Sequence, residues 1–303
     1  SAGAQWYVLD RARKALLEIV GDFPEPETSE ITQAVFSQAG TAGSGPALRD
    51  PVDFAIDESG ARAIVVDQEL AQLISIDLGT GNRSELVLQG ETLSLPVAID
   101  IDQANGIAYV LDQQSRSIVE VTLDVGQPND GIAMTITPPV CESDEGQPGP
   151  YCVELQQFGS LQACDLTPGN EVLDCDGWAR LEKPFDLVYQ EINGLQRLFV
   201  TDSRSMQNHA GEIVIVELAG GVNGKGASTI LTSPLERDDD DDTSSFLITQ
   251  YGRLILDDAN DRLLAIIFGV PDSLIIAEQG ILAIDVSNDY GDPMGNPATF
   301  GNE

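Results

Sequence analysis

The chain has 303 residues, 42% of them hydrophobic, and carries 15 Lys and Arg against 50 Asp and Glu, a formal net charge of −35. That apolar share is enough for a packed core, while the summed negative field repels nucleic acid and anionic lipid and removes both as main partners. No stretch approaches the roughly 18 consecutive apolar residues of a membrane-spanning helix.

Only 3 of the 15 basic residues are Lys. Acidic, Lys-poor surfaces suit salty surroundings, where screening blunts self-repulsion, so a secreted, cell-surface or periplasmic protein of a marine or halophilic bacterium is expected. The sequence opens on Ser1 and not on Met, as it would after removal of a leader.

In chain order, Trp6 to Asp10 and Ala15 to Val20 are the first strand-like segments. A longer phrase follows from Pro51 to Asp67, and it returns 45 residues later from Pro96 to Asp112. Each copy begins with Pro, turns at an Asp-rich corner and ends on Asp. A third copy, two residues longer, runs from Pro184 to Asp202, and a fourth from Arg253 to Phe268; Trp6 to Asp10 matches only the second half. Each is followed by an apolar run (Leu73 to Leu78, Ile118 to Leu123, Glu212 to Leu218, Gly280 to Val286), and most then by a weaker segment such as Ser84 to Leu88 or Ala227 to Leu231. Alternating or continuous apolar residues bounded by Gly, Asn, Asp and Pro are short strands. Four per repeat at this period make one propeller blade, since such a unit cannot bury its apolar face alone. The rungs of a parallel solenoid are usually shorter than this repeat.

The expected fold is therefore all-β, a β-propeller of four-stranded blades occupying residues 1–303 as a single domain, with five blades visible. The first blade lacks its innermost strand, and the last has three strands and then a Gly/Pro/Asn tail from Asp289 to Glu303. Closing the ring requires either a strand from this tail or sequence outside this chain, as in a six- or seven-bladed ring.

Residues 138–180 read as an insertion in the third visible blade. Cys141, Cys152, Cys164 and Cys175 all fall there, in polar, turn-rich sequence, as two pairs each spaced by 11. Two local disulfides stapling the loop in an oxidising compartment are expected, with 141–152 and 164–175 the preferred connectivity of three. Structural zinc is the competing reading, but it usually takes much shorter Cys spacings and the single His lies far away.

In a propeller the loops joining second to third strands share one face with the blade-to-blade loops, and that face commonly holds the site. The repeat puts Arg11, Arg13, Lys14, Gln68, Glu69, Gln113, Arg116, Arg204, Asn208 and His209 in the first set, and Arg49, Arg180 and Lys183 in the second. Such a basic focus on an acidic protein offers bidentate contacts to carboxylate or sulfate, with Arg11, Arg13, Arg116, Arg204 and Asn208 as ligand-binding candidates. The opposing reading is that these are ordinary polar turns, whose Asp residues brace their own backbone. His209, the only histidine, near Arg204 and Tyr189, is a candidate general base; a lone loop His is more often a solvated turn residue. Asp238, Asp239, Asp240, Asp241 and Asp242 form an acidic run that Ca2+ would relieve, or a plain solvated loop. No cofactor is required by any motif, and nucleophile-elbow, metalloprotease, P-loop and dinucleotide signatures are absent from the sequence.

Through Tyr109-Val110-Leu111-Asp112, Tyr7-Val8-Leu9-Asp10 and the Ile/Leu-rich strands after them, the chain resembles the NHL and YVTN-type bacterial propellers. The resemblance implies a surface or periplasmic interaction protein, or a relative of lactonases and lyases. The lactonase-type relatives hold a metal with Glu, Asn and Asp in the central channel, and those ligands have no counterpart that can be matched here. The expected function is a secreted or cell-surface binding or scaffold module for a protein or anionic glycan. The alternatives are a carbohydrate-active enzyme, a polysaccharide lyase or hydrolase at the channel mouth, and a calcium-bridged subunit of a surface layer or filament.

Overall fold

The computed structural model describes residues 6–20, 32–136, 181, 183–202, 212–219, 228–232, 246–257, 260, 262–271 and 278–286. The expected insertion 138–180 with its four cysteines, the residues Arg204, Asn208 and His209, the run Asp238 to Asp242 and the tail after Asp289 lie outside them. Every regular element among the described residues is a β-strand.

The chain forms two compact units, residues 1–112 with 119–134, and residues 113–118 with 135–303. In the first, β1 (Trp6–Asp10), β2 (Ala15–Val20) and β3 (Thr32–Ser37) make a three-stranded sheet. Next come β4 (Pro51–Asp57), β5 (Arg62–Asp67), β6 (Gln72–Asp77) and β7 (Arg83–Leu86), then β8 (Pro96–Asp102), β9 (Ile107–Asp112), β10 (Ser117–Thr122) and β11 (Ala133–Thr135), two four-stranded sheets in sequence order. The first residues of β10 and the last of β11 belong to the second unit. That unit also holds a four-stranded sheet of β12 (Pro184–Ile192), β13 (Leu195–Asp202), β14 (Glu212–Ala219) and β15 (Ser228–Thr232), and a three-stranded one of β16 (Phe246–Asp257), β17 (Arg262–Pro271) and β18 (Glu278–Asp285).

Each sheet is an antiparallel meander, and the burial pattern is that of stacked propeller blades. β5 is buried at every residue because its two faces serve two cores. Ala63 and Val65 pack with Leu16 of the preceding sheet, while Ile64 and Val66 pack with Ile99, Val110 and Val121 of the following one. A strand buried on both sides must be apolar without alternation, which is why Ala63 to Val66 reads as one continuous run. In the second unit Phe199, Ile213 and Ile215 close in the same way on Leu254, Leu263 and Ile284.

The repeated phrase is a first-strand/second-strand hairpin in register. Pro51 faces Asp67, Pro96 faces Asp112 and Pro184 faces Asp202, and in all three the register shifts one residue later, between Pro51 and Asp53, Pro96 and Ala98, and Pro184 and Asp186. The same β-bulge thus opens each innermost strand. The fourth hairpin departs from expectation: its first strand begins at Phe246 and not at Arg253, and two register shifts, between Ile248 and Gln250 and between Tyr251 and Leu254, lengthen it. No Pro marks that start, so the earlier residues were illegible as strand.

Candidate functional site

The Asp that ends each phrase is a structural clasp. Asp67 is fully buried and its carboxylate accepts the backbone N–H groups of Arg49 at 2.6 Å, Asp50 at 3.1 Å and Leu70 at 3.2 Å. Asp112 does the same for Ser94 and Leu95, and Asp202 for Lys183 at 2.7 Å. A buried carboxylate is tolerable when several N–H donors replace its hydration. The clasp ties the loop leading into a blade to the end of that blade's second strand, so the sixteen-residue interval is the length of one hairpin.

The residue after the clasp reaches forward along the chain. Gln68 Nε2 contacts the Pro96 carbonyl at 3.5 Å, Gln113 Nε2 donates to the Pro184 carbonyl at 2.7 Å, and Arg11, which follows Asp10, binds Asp50, the neighbour of Pro51, through Nε at 2.6 Å and NH2 at 2.7 Å. The Arg11 guanidinium holds the Asp50 carboxyl below the ordinary carboxylate range. Exposed pairs of this kind contribute roughly 1 kcal/mol or less.

The second-to-third-strand turns share one geometry. Arg13 N donates to Asp10 Oδ1 and Leu70 N to Asp67 Oδ1, and four residues after each strand-ending Asp the backbone turns left-handed, at Lys14 (φ 54°), Ala71 (φ 52°) and Arg116 (φ 56°). The turns at the other end repeat it, with Asp57 capping Gly60 before Ala61 (φ 47°) and Asp102 capping Ala104 and Asn105 before Gly106 (φ 63°). Asp10, Asp57, Asp67 and Asp102 are therefore turn chemistry.

Of the expected ligand-binding residues, Arg11 and Arg13 keep side chains 60% exposed, Arg11 against Asp50 and Arg13 beside Asp10 at 3.5 Å. Arg116 is half-buried at its left-handed corner. Arg49 and Lys183 stand beside the clasps of Asp67 and Asp202 through their backbone. Tyr189 donates its hydroxyl to Glu191 at 3.3 Å, toward the Asn193–Gly194 turn and away from the Asp202 end of the hairpin that leads to His209.

Two residues of interest at the mouth end were missed. Asp53 Oδ2 accepts the Ile99 N–H at 2.9 Å, and Asp186 Oδ2 accepts the Leu254 N–H at 2.7 Å, so the third residue of the phrase latches one innermost strand to the next. At the second latch Arg253 adds a contact from NH1 to Asp186 Oδ1 at 2.8 Å and lies over the exposed ring of Phe185, 5.7 Å from its centroid. The signal was the shared Pro-x-Asp of Pro51 to Asp53 and Pro184 to Asp186, which Pro96 to Ala98 lacks. Among the described residues no group of three His, Cys, Asp or Glu is placed to hold a metal ion, and no helix is long and apolar enough to cross a membrane.

The antiparallel four-stranded sheets and their face-to-face packing define a blade-built propeller protein. No family model matches the chain, and no curated protein does. Solved structures similar to it include a chain of a nidogen/laminin complex, with 11% identity over 91% of this chain and 87% of that one at a TM-score of 0.48. A gluconolactonase of Xanthomonas campestris shows 12% identity over 88% and 65% at 0.46, and the hydrazine synthase of Kuenenia stuttgartiensis 9% over 82% and 66% at 0.40. The match thus spans just under two thirds of the latter two chains. Likenesses of this size add nothing to the argument from strand order and packing.

Proposed function

We propose that the chain is a propeller binding module of the NHL/YVTN kind, secreted or exposed at the cell surface, that recognises an anionic glycan at the face of the first unit carrying Arg11 and Arg13. What carries the reading is the division of labour at that face. Within the first unit Asp67 and Asp112 are spent on clasps and Gln68 on a strap, whereas Arg11 and Arg13 keep side chains 60% exposed even though Arg11 straps to Asp50 and Arg13 lies beside Asp10. Guanidinium groups pre-positioned by a carboxylate lose little further freedom on meeting a carboxylate or sulfate. The cysteine spacing supports an oxidising compartment, and calcium is an optional structural addition at Asp238 to Asp242.

The test is calorimetric titration with an oligogalacturonate, a sulfated oligosaccharide and a neutral cello-oligosaccharide. Binding of an anionic member, weakened by salt and lowered about tenfold in the Arg11→Ala/Arg13→Ala double variant, is the expected result. Failure of every anionic member to bind overturns the glycan reading and leaves a protein partner.

A further inference from the structure

We propose that Phe185 and Arg253 form a subsite for one uronate residue of an acidic glycan, an inference that rests on the glycan-binding reading above. Both residues lie in the second unit, Phe185 second in β12, beside the Lys183–Asp202 clasp, and Arg253 on β16 next to the latched Leu254. Phe185 is the bulged residue of its strand, between the register positions of Pro184 and Asp186. A bulge re-aims a side chain, here placing an aromatic ring in solvent at 37% exposure. Nothing in the packing of the sheet requires a ring there, since Val52 and Val97 fill the equivalent places in the earlier blades.

Arg253 borders the ring with its guanidinium anchored on the buried carboxylate of Asp186, and its side chain is 36% exposed. The pair therefore presents a part-exposed aromatic ring with a fixed planar donor held over it. A sugar ring bearing a carboxylate matches both, its C–H face against Phe185 and its carboxylate toward Arg253. Directly across the hairpin from Asp186, Thr201 is fully buried, with a hydroxyl that meets no hydrogen-bond partner among the described residues. Buried polar atoms are rarely left so, and this one sits on the same face as Asp186, roughly 5 Å away between Cβ atoms.

The experiment compares an oligogalacturonate with its carboxyl-reduced, neutral counterpart on wild type, Phe185→Ala, Phe185→Leu and Arg253→Lys, with thermal midpoints recorded for each. Loss of the ring plane in either Phe185 variant is expected to weaken the uronate ligand about tenfold. Arg253→Lys retains the Asp186 pair but not the fork, and is expected to weaken the uronate ligand while leaving the neutral one unchanged. If wild type binds neither ligand, the uronate subsite is overturned, while the glycan reading falls only if the sulfated oligosaccharide fails as well. If wild type binds and all three variants bind as well as it does, the subsite alone is overturned, as it is if Arg253→Lys weakens both ligands equally.

Discussion

Asp67 recurs at a fixed place in the repeat as a turn-bracing carboxylate, and its three backbone hydrogen bonds explain the recurrence. Removing it strands the N–H groups of Arg49, Asp50 and Leu70 in partly buried surroundings. Leaving such donors unmet costs about 1–3 kcal/mol apiece when they are fully buried, and water will reach some of these. Asp67→Ala is therefore expected to lose about 3 kcal/mol of stability in urea denaturation and Asp67→Asn distinctly less, because the amide keeps one oxygen; equal losses would show that charge, and not the accepting oxygen, holds the loop.

At the level of strands and sheets, Arg62 joins two neighbouring blades. Its Nε donates to Asp57 at 2.8 Å, and NH1 and NH2 to Asp130 at 3.0 and 2.8 Å, with all three side chains largely buried. Burial alone would raise the two carboxyls, yet hydrogen bonds, from Gly60, Arg62 and Ser59 to Asp57 and chiefly from Arg62 to Asp130, leave both below the ordinary carboxylate range. A folded pKa beneath the unfolded one means that stability is fully present above the unfolded value, about 4, and drains away as pH falls through the folded value. Denaturant midpoints are thus expected to drop as pH is lowered below about 4, and the Asp57→Asn/Asp130→Asn variant to show a flatter profile. Removing the cation alone, as in Arg62→Met, leaves two buried carboxylates and is expected to cost about 3–5 kcal/mol. Sequence spacing made the hairpins legible, because Pro and Asp sit at fixed strand positions and β5 must be apolar throughout. It did not reveal this junction, since Asp130 lies 68 residues from Arg62, nor the early start of β16, where bulges replace the Pro. The exposed arginines Arg11 and Arg13 were legible as positions, but not their pairing with Asp50, 39 residues away, and with Asp10.

For the whole molecule the dominant quantity is the net charge of −35. Many acids are locked into turns and clasps by N–H donors, but their charges still repel one another over distances that salt shortens from about 30 Å at 0.01 M to about 3 Å at 1 M. Raising NaCl across that range is expected to raise the thermal midpoint by several degrees while weakening ligand binding at the arginine face. A midpoint indifferent to salt would mean that the fixed hydrogen-bond donors already cancel the repulsion.

The forward-reaching glutamines carry a consequence for how such a chain changes over generations. Gln68 meets Pro96 across 28 residues and Gln113 meets Pro184 across 71, with the same amide and the same carbonyl. In the flexible-chain limit the longer interval costs only about 0.8 kcal/mol more closure entropy, so the strap itself does not fix the length of chain between its ends. Extra sequence is therefore tolerated between the strands of the longer interval but not in place of β10, β11 or Asp130, whose carboxylate holds Arg62 from inside that same stretch.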